Sequence, residues 1–273
     1  MKILLVNAFF GHQTGRFVKA EPLAICCLTA WMRKKGYNVE ICDPLSAGHR
    51  PDLLISHLDL EQFQIIGISV IANRYESEVF KLVRKIRKSG FKGHICVGGQ
   101  PPSLMWREYL SRCRDIDSVV IGEGEETLED LTGILREDGD LTKVRGIAYR
   151  KKGAIQKNEP RKLIDNLDLL PFMARDVLQK YVDQYGTKVF ASIIASRGCY
   201  RNCSFCSIST YYEVMNGKKF RIRSIQNIVS EINYIYREFG VHRFYLKIWR
   251  LLTERLEIVS LWEQHVKGCC VIS

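Results

Sequence analysis

The stretch Arg197-Gly198-Cys199-Tyr200-Arg201-Asn202-Cys203-Ser204-Phe205-Cys206 places three cysteines on one short loop with the spacing C-x3-C-x2-C. The residues just before it, 189–195, form an apolar run of strand length, so the loop follows a predicted strand directly. Three thiolates can hold three irons of a 4Fe–4S cluster and leave the fourth iron open, whereas an electron-storage cluster takes four cysteines. The spacing therefore predicts an iron–sulfur site at Cys199, Cys203 and Cys206 that works on a bound small molecule, as an open position does at a catalytic zinc.

Other uses of these cysteines fit the rest of the chain less well. Structural zinc takes four ligands, usually as two separated pairs, and His242 and Cys269 are lone residues. Cys203 and Cys206 alone could form a redox dithiol, but Cys199 would then have no role. A disulfide framework is disfavoured because the 10 cysteines are scattered, mostly in apolar runs, and no secretory signal opens the chain. Reduced cysteines indicate a cytoplasmic location.

The composition indicates a globular chain with a basic surface. It has 273 residues, 46% of them hydrophobic, which allows two modest domains, and its net charge is +11. No apolar run approaches the ~20 residues of a membrane span, so we expect no transmembrane segment. The basic runs at 33–35 and 81–92 close amphipathic helices, where cations suit the helix C-terminus. Because aromatic residues are not interleaved with the charges on one face, we expect no nucleic-acid partner.

The first half of the chain alternates apolar strands with amphipathic helices. This alternation predicts an α/β fold with a doubly wound, Rossmann-like (flavodoxin-like) parallel sheet. A hairpin that turns at Lys152-Gly153 should follow, and then a linker over 159–185. The predicted strands are 2–7, 38–43, 65–70, 94–99 and 118–123, and the predicted helices are 22–35, 76–88, 104–110 and 125–136.

After the linker, the pattern is that of the start of a partial TIM-type βα barrel. It consists of a strand at 189–195, a helix at 224–239, a strand at 242–248 and a helix at 253–267. We therefore expect a Rossmann-like domain over 1–140, a hairpin and linker over 141–185, and the N-terminal part of a barrel over 186–273. The barrel would be short by several βα units, which makes a truncated barrel the expectation.

Glycines and small polar residues gather where the predicted strands of the first half end. Ligands of doubly wound sheets bind at these carboxyl ends, and glycine lets the backbone approach a ligand closely. No G-x-G-x-x-G follows the first strand, which makes a nicotinamide site a weak interpretation. Several such positions on one sheet edge favour a large flat ligand. The candidate contacts are Gly11, His12, Gly15, Ser69, Val70, Gly98, Gly99, Gly122, Glu123 and Gly124.

The cysteine motif, with Phe205 before its last cysteine and a strand directly ahead, resembles that of the radical S-adenosylmethionine enzymes. The first half resembles the cobalamin-binding domain of their cobalamin-dependent branch. The phrases that carry this likeness include Glu21-Pro22-Leu23-Ala24-Ile25, Val97-Gly98-Gly99-Gln100-Pro101 and Val120-Ile121-Gly122-Glu123-Gly124-Glu125-Glu126. The resemblance covers about residues 1–245.

The resemblance implies three cofactors and a reaction class. Cys199, Cys203 and Cys206 would hold the cluster, S-adenosylmethionine would chelate its open iron with Phe205 nearby, and cobalamin would lie at the strand ends. Reductive cleavage of S-adenosylmethionine would serve methyl transfer or related radical chemistry on an unactivated carbon. No catalytic residue is implied beyond the cluster ligands. The implied partners are a small-molecule or lipid-like substrate and a low-potential electron donor such as flavodoxin or ferredoxin.

The chain also departs from the family pattern. Around His12 the aspartate of D-x-H-x-x-G is missing, which leaves both a cobalt ligand and a solvated loop histidine open. The strand at 244–249 lacks the acidic residues that relatives place near the S-adenosylmethionine amino group. An alternative is therefore a truncated, inactive protein that binds cobalamin and an iron–sulfur cluster. A receiver or nucleotide-binding domain would leave the cysteines unexplained. The ending 270–273 matches the C-a-a-X prenylation pattern, but a truncated barrel strand explains the same letters.

Overall fold

The computed structural model describes residues 1–8, 21–47, 58–201, 203–247 and 271–272. Its first part is a sheet of seven strands in the order β2-β1-β3-β4-β5-β6-β7. The five strands from β1 to β5 run parallel, while β6 and β7 are antiparallel additions. The predicted α/β sheet is therefore confirmed, and the predicted hairpin extends it. The strands are β1 (Lys2–Asn7), β2 (Asn38–Cys42), β3 (Ile65–Ser69), β4 (His94–Gly98), β5 (Ser118–Val120), β6 (Ile147–Lys151) and β7 (Ala154–Lys157).

Helices cover both faces of this sheet. Along β1, Ile3 and Leu5 pack toward one face while Leu4 and Val6 pack toward the other. Because both faces are buried, the strand is a continuous apolar run. The first face is covered by α1 (Leu23–Lys34) and α6 (Glu125–Arg136), and the second by α3 (Glu76–Lys88) and α5 (Trp106–Arg112). Two short helices, α2 (Pro44–Ala47) and α4 (Gln100–Leu104), follow the ends of β2 and β4.

Four strands of this sheet end earlier than the sequence predicts, β2, β3 and β4 by one residue and β5 by three. A glycine in the left-handed region directly follows β4 and lies two residues beyond β5. Gly99 has φ +107° and Gly122 has φ +86°, which L side chains rarely adopt. A Cβ on Gly99 would also lie 2.3 Å from the carbonyl oxygen of Val70. The helix predicted at 104–110 is two short helices, α4 and α5, that meet at Met105.

The second part contains a parallel sheet in the order β12-β11-β8 and an antiparallel ribbon of β9 and β10. The helix that leads to β11 begins at Ser224, whose hydroxyl accepts a hydrogen bond from the Asn227 N–H at 3.2 Å, and it ends at Gly240 with φ +64°. The elements are α7 (Asp176–Tyr185), β8 (Ala191–Ile194), β9 (Ser196–Arg197), α8 (Ser207–Glu213), β10 (Arg221–Ile222), α9 (Ile225–Phe239), β11 (Arg243–Lys247) and β12 (Val271–Ile272).

The helix α7 lies within the segment that the sequence predicts as a linker. Its buried residues Val177, Leu178 and Tyr181 fall on one helical face. Val177 and Tyr181 pack against Cys26 of α1, while Leu178 packs into the core of the second part with β8. One face of α7 is thus buried between the two halves of the molecule.

Some predictions fall on residues that the structure does not describe. These are the candidate contacts Gly11, His12 and Gly15 and the helix predicted at 253–267. Across the described ranges, no helix is both long enough and apolar enough to cross a membrane.

Candidate functional site

A cavity of about 400 Å³ opens where the strand ends of the first half face the second half. Its floor is the sheet face formed by Leu5, Gly67 and Cys96, and α1 and α6 form one wall. The opposite wall is the segment from Ile194 to Gly198 together with α8. Six of the predicted contacts line this cavity: Ser69, Gly98, Gly99, Gly122, Glu123 and Gly124. Val70 does not line it, because its side chain belongs to the core on the other face of the sheet.

The absence of side chains at two glycines creates part of this space. A Cβ on Gly67 would lie 2.7 Å from Leu5 Cδ2, so any larger residue there would occupy the cavity floor. At Gly98 the nearest atom to an added Cβ is Val120 Cβ at 3.5 Å, an ordinary contact. Gly98 therefore accepts a side chain without backbone strain, and a substitution there would fill the cavity from its sheet edge.

Two arginines and two glutamates form a buried ion cluster beside the cavity, here called the cavity cluster. Arg221 on β10 holds both carboxylate oxygens of Glu123, with distances of 2.9 Å from Nη1 and 2.7 Å from Nη2. Arg197 on β9 lies 3.4 Å from Glu123 and bonds Glu125. Arg197 and Arg221 stand opposite each other in the ribbon, an arrangement that would repel without the glutamates.

In the cavity cluster, each charged group stabilises the charged form of its partners. Burial alone would raise the pKa of Glu123, but hydrogen bonds from Arg221 and the charges of Arg197 and Arg221 hold it below its usual value of 4.5. Burial would lower the pKa of Arg197, yet the carboxylates of Glu125 and Glu123 raise it instead. Glu123 and Arg197 are therefore both charged near neutral pH. The thiol of Cys27, on the α1 wall, has its pKa raised to about 12 by burial and is protonated.

A second buried ion cluster, here called the core cluster, fastens the two halves together. Arg175 lies just before α7 and bonds both oxygens of Glu21 at 3.0 and 2.9 Å and Glu231 on α9 at 2.6 Å. Glu21 also accepts the backbone N–H of Ser192 on β8 at 2.8 Å. Arg223 bonds the other oxygen of Glu231. None of these four ionic side chains lines the cavity.

The cysteine loop begins at the cavity wall, because Gly198 is both a lining residue and the neighbour of Cys199. Cys199, Cys203 and Cys206 are free and partly buried. The Cys206 N–H donates to the Cys203 carbonyl at 3.0 Å, and Phe205 is 92% exposed. Within the described residues, which include all three cysteines, no three histidine, cysteine, aspartate or glutamate side chains lie close enough together to hold a metal ion. The donor set of three thiols on one loop suits an iron–sulfur cluster.

Sequence reasoning missed the residues that the second half contributes to the cavity. Arg197, Tyr211 and Tyr212 line it together with Cys27 and Leu28 of α1. The one available signal was position, since Arg197 precedes the cysteine motif and the two tyrosines follow it on α8.

Comparison with known proteins finds relatives over both halves of the chain. Residues 17–132 match the family model of the B12 binding domain. An uncharacterized methyltransferase from Pyrococcus horikoshii is 31% identical over 251 residues, which are 88% of this chain and 52% of that protein. An anaerobic magnesium-protoporphyrin IX monomethyl ester cyclase from Synechocystis is 28% identical over 252 residues, covering 90% of this chain and 49% of the relative. The chain thus spans about half the length of these curated relatives.

The fold itself recurs in a solved structure. The cobalamin-dependent S-adenosylmethionine radical enzyme OxsB, with aqua-cobalamin and S-adenosylmethionine bound, superposes with a TM-score of 0.77 at 21% identity. The match covers 99% of this chain and 38% of that one. At this identity the likeness establishes the fold alone. Because the match covers 99% of the chain, the shared fold extends over the second half as well as the sheet.

Proposed function

We propose that the chain binds cobalamin, a 4Fe–4S cluster and S-adenosylmethionine for radical chemistry. The premise is that it is related over most of its length to cobalamin-dependent radical S-adenosylmethionine enzymes and carries a B12 binding domain. The observation that carries the proposal is the shared cavity. Its lining includes the strand ends at Gly98 and Gly122 and also Gly198, next to the first cysteine. A ligand there would lie between the B12 domain and the cysteine loop.

Part of the cobalamin would lie in this cavity. The floor is apolar and lacks side chains at Gly67 and Gly98, so a large flat ligand can approach the backbone closely. The strand order changes direction between β1 and β3, which is where ligands of doubly wound sheets bind. Ser69, Gly99, Gly122, Glu123 and Gly124 are the further contacts that we propose, and Gly11, His12 and Gly15 would add to them from the residues after β1.

The thiolates of Cys199, Cys203 and Cys206 would hold three irons of the cluster, with S-adenosylmethionine on the fourth and Phe205 beside it. When bound, these cofactors supply reductive cleavage of S-adenosylmethionine for methyl transfer or related chemistry on an unactivated carbon. The chain's own residues orient them and exclude water. Ile208, Tyr211 and Tyr212 of α8 form the cavity wall that follows the loop.

Beyond the cofactors, we propose a domain arrangement, a substrate class and an electron donor. The parallel strands β8, β11 and β12 support the start of a TIM-type βα barrel over 186–273, next to a B12 domain over 1–140 and a connecting segment over 141–185. We propose a small-molecule or lipid-like substrate and a low-potential donor such as flavodoxin or ferredoxin. The relatives include proteins named as a methyltransferase and as a cyclase, so methyl transfer is the first reaction to assay.

The cluster assignment is tested by anaerobic reconstitution with iron and sulfide. Changing Cys199, Cys203 or Cys206 singly to Ala should lower bound iron and remove the charge-transfer absorbance, because each thiolate is a ligand. Cys113→Ala is the matched control, since this buried thiol directly follows α5 and its pKa is raised by burial. Release of 5′-deoxyadenosine under a low-potential reductant then tests cleavage. Normal iron loading in all three single variants would refute the assignment.

The cobalamin assignment is tested by equilibrium dialysis of the full chain with aquacobalamin. Gly98→Val should lower retention at least about tenfold, because a side chain fills space that the ligand needs. Gly99→Val is unsuitable, since its Cβ would strike the Val70 carbonyl. Gly133→Val is the control, because among the described residues only Tyr37 approaches the added Cβ on α6, at 4.0 Å. Equal retention by the parent and Gly98→Val would contradict the proposed position.

A further inference from the structure

Both ends of the cysteine loop are tied to the first half of the chain. At the upstream end, Arg197 directly precedes Gly198 and Cys199, and it bonds Glu125 and lies 3.4 Å from Glu123. Its side chain is 12% exposed and that of Glu125 is 4% exposed, so water competes little with this pair. The backbone at Gly198 packs closely against Lys219, because an added Cβ on Gly198 would lie 1.8 Å from the Lys219 carbonyl oxygen.

The downstream end is held by a different contact. Gln100, the first residue of α4, donates from Nε2 to the hydroxyl of Ser207 at 2.7 Å. Ser207 is the first residue of α8 and follows Cys206 directly. The last cysteine therefore lies next to an anchor, as the first one does.

The two anchors come from the strand ends that line the cavity. Gln100 is the first residue of α4, which follows β4, and Glu125 is the first residue of α6, which follows β5. The strands β4 and β5 pair with each other, so the helices that carry the two anchors follow neighbouring strands. The span between the ends of the cysteine loop is thus set by the sheet.

We propose that Gln100 and Glu125 are positioning residues that clamp the two ends of the cysteine loop to the sheet edge, so that the first half of the chain sets the reactivity of the three thiols. The geometry of a cluster held by those thiols would depend on the same clamp, and that extension rests on the proposed function. Neither residue touches the sulfurs. Each acts through Ser207 or Arg197, by restricting the loop conformations that the thiols can sample.

The experiment measures alkylation of each cysteine in the reduced, metal-free full chain, with iodoacetamide as the probe and peptide mass spectrometry as the readout. Gln100→Ala removes one neutral hydrogen bond and should speed alkylation of Cys206 about fivefold. Glu125→Gln keeps the side-chain shape but removes the charge that holds Arg197, and should speed alkylation of Cys199 about tenfold or more. The double variant should expose all three thiols.

Glu126→Gln is the matched control, because Glu126 neighbours Glu125 but pairs with Arg161, away from the loop. Cys96 and Cys113, both buried, serve as internal references for global unfolding. Faster alkylation confined to the three loop cysteines supports the clamp. Parental rates in a folded double variant overturn it. Should Glu125→Gln fail to fold, Gln100→Ala still decides, since its contact is at the surface.

A second readout separates this inference from the proposed function. After anaerobic reconstitution, the electron paramagnetic resonance spectrum of the reduced cluster should change in Glu125→Gln and remain parental in Glu126→Gln. A parent that takes up no iron would refute the proposed function, while the alkylation rates would still decide the clamp. An unchanged spectrum in a loaded Glu125→Gln variant would overturn the extension to the cluster.

Discussion

The cavity cluster and the core cluster are built from the same groups, two arginines and two glutamates, yet they differ in what surrounds them. In the core cluster, the side chains of Glu21 and Glu231 are 0% exposed, and the cluster joins the start of α1, the segment before α7, β8 and α9. In the cavity cluster, Glu123 and Arg197 are 8% and 12% exposed and line the space proposed for the ligand.

The difference shows how two similar ion clusters can serve separate tasks. Burying charge costs free energy that their attraction only partly offsets, so a buried cluster is better explained by the geometry it specifies than by net stability. The core cluster specifies how the two halves dock. The cavity cluster specifies where the cysteine loop begins relative to the strand ends.

The largest effect should come from breaking the core cluster. Arg175→Met leaves Glu21 and Glu231 buried without their shared cation and should lower the free energy of unfolding by about 3–5 kcal/mol. Urea denaturation of the full chain measures this loss. Arg33→Met is the control, because Arg33 pairs with Asp176 with its side chain 41% exposed, and it should cost about 1 kcal/mol or less. Equal losses would mean that the core cluster does not fasten the halves.

Breaking the cavity cluster should lower the free energy of unfolding less than breaking the core cluster does, but it should weaken cobalamin binding more. Arg221→Met removes the bonds to both Glu123 oxygens and to the Ile164 carbonyl and should lower the free energy of unfolding by about 1.5–3 kcal/mol. Because Glu123 lines the cavity, the same change should also weaken aquacobalamin retention in dialysis. Folded Arg175→Met should retain cobalamin as the parent does. If Arg175→Met weakened cobalamin retention and Arg221→Met did not, the core cluster rather than the cavity cluster would support the ligand.

The free energy of unfolding should depend on pH in opposite directions for the two clusters. The lowered pKa of Glu123 contributes stability that is present above 4.5 and is lost as pH falls toward the folded value. Burial raises the pKa of Glu21 despite Arg175, so its contribution is present below 4.5 and is lost as pH rises toward the folded value.

Unfolding free energies measured between pH 3 and pH 7 test this difference. Relative to the parent, Glu123→Gln should flatten the loss of stability on the acid side, whereas Glu21→Gln should remove a decline above pH 4.5. If the free energy of unfolding changed with pH in the same way in both variants, the two carboxylates would not differ in environment as proposed.

The smallest effect concerns a hydroxyl beside the core cluster. The Ser192 Oγ is buried and finds no hydrogen-bond partner among the described residues, while its backbone N–H bonds Glu21. Ser192→Ala should therefore change the free energy of unfolding by no more than about 0.5 kcal/mol. A loss above about 1 kcal/mol in thermal or urea unfolding would mean that the hydroxyl belongs to the core cluster.

The sheet was predictable because its signals are local. The apolar run at β1 and the serine cap and glycine end of α9 lie within a few residues of the features they determine. The helix α7 shows the limit, since its apolar face at Val177, Leu178 and Tyr181 was present in the sequence but Pro160 and Pro171 favoured a linker.

The candidate site was predictable only in part. Glycines at strand ends pointed to the cavity because parallel strands place their carboxyl ends on one edge. The pairing of Arg197 with Glu125, or of Gln100 with Ser207, joins residues far apart in the chain and leaves no local pattern. Glu123 shows the consequence, since both its carboxylate oxygens are engaged by arginine and backbone donors while its side chain still lines the cavity.

The core cluster also imposes an order on biosynthesis. Glu21 is translated early, but its partners Arg175 and Glu231 come much later in the chain. At about 5–20 residues per second, the cation Arg175 follows Glu21 by roughly 8 to 30 seconds. During that interval the nascent first half has a carboxylate with no cation to meet it. Docking of the halves must therefore be a late step of folding, completed when α9 has been synthesised.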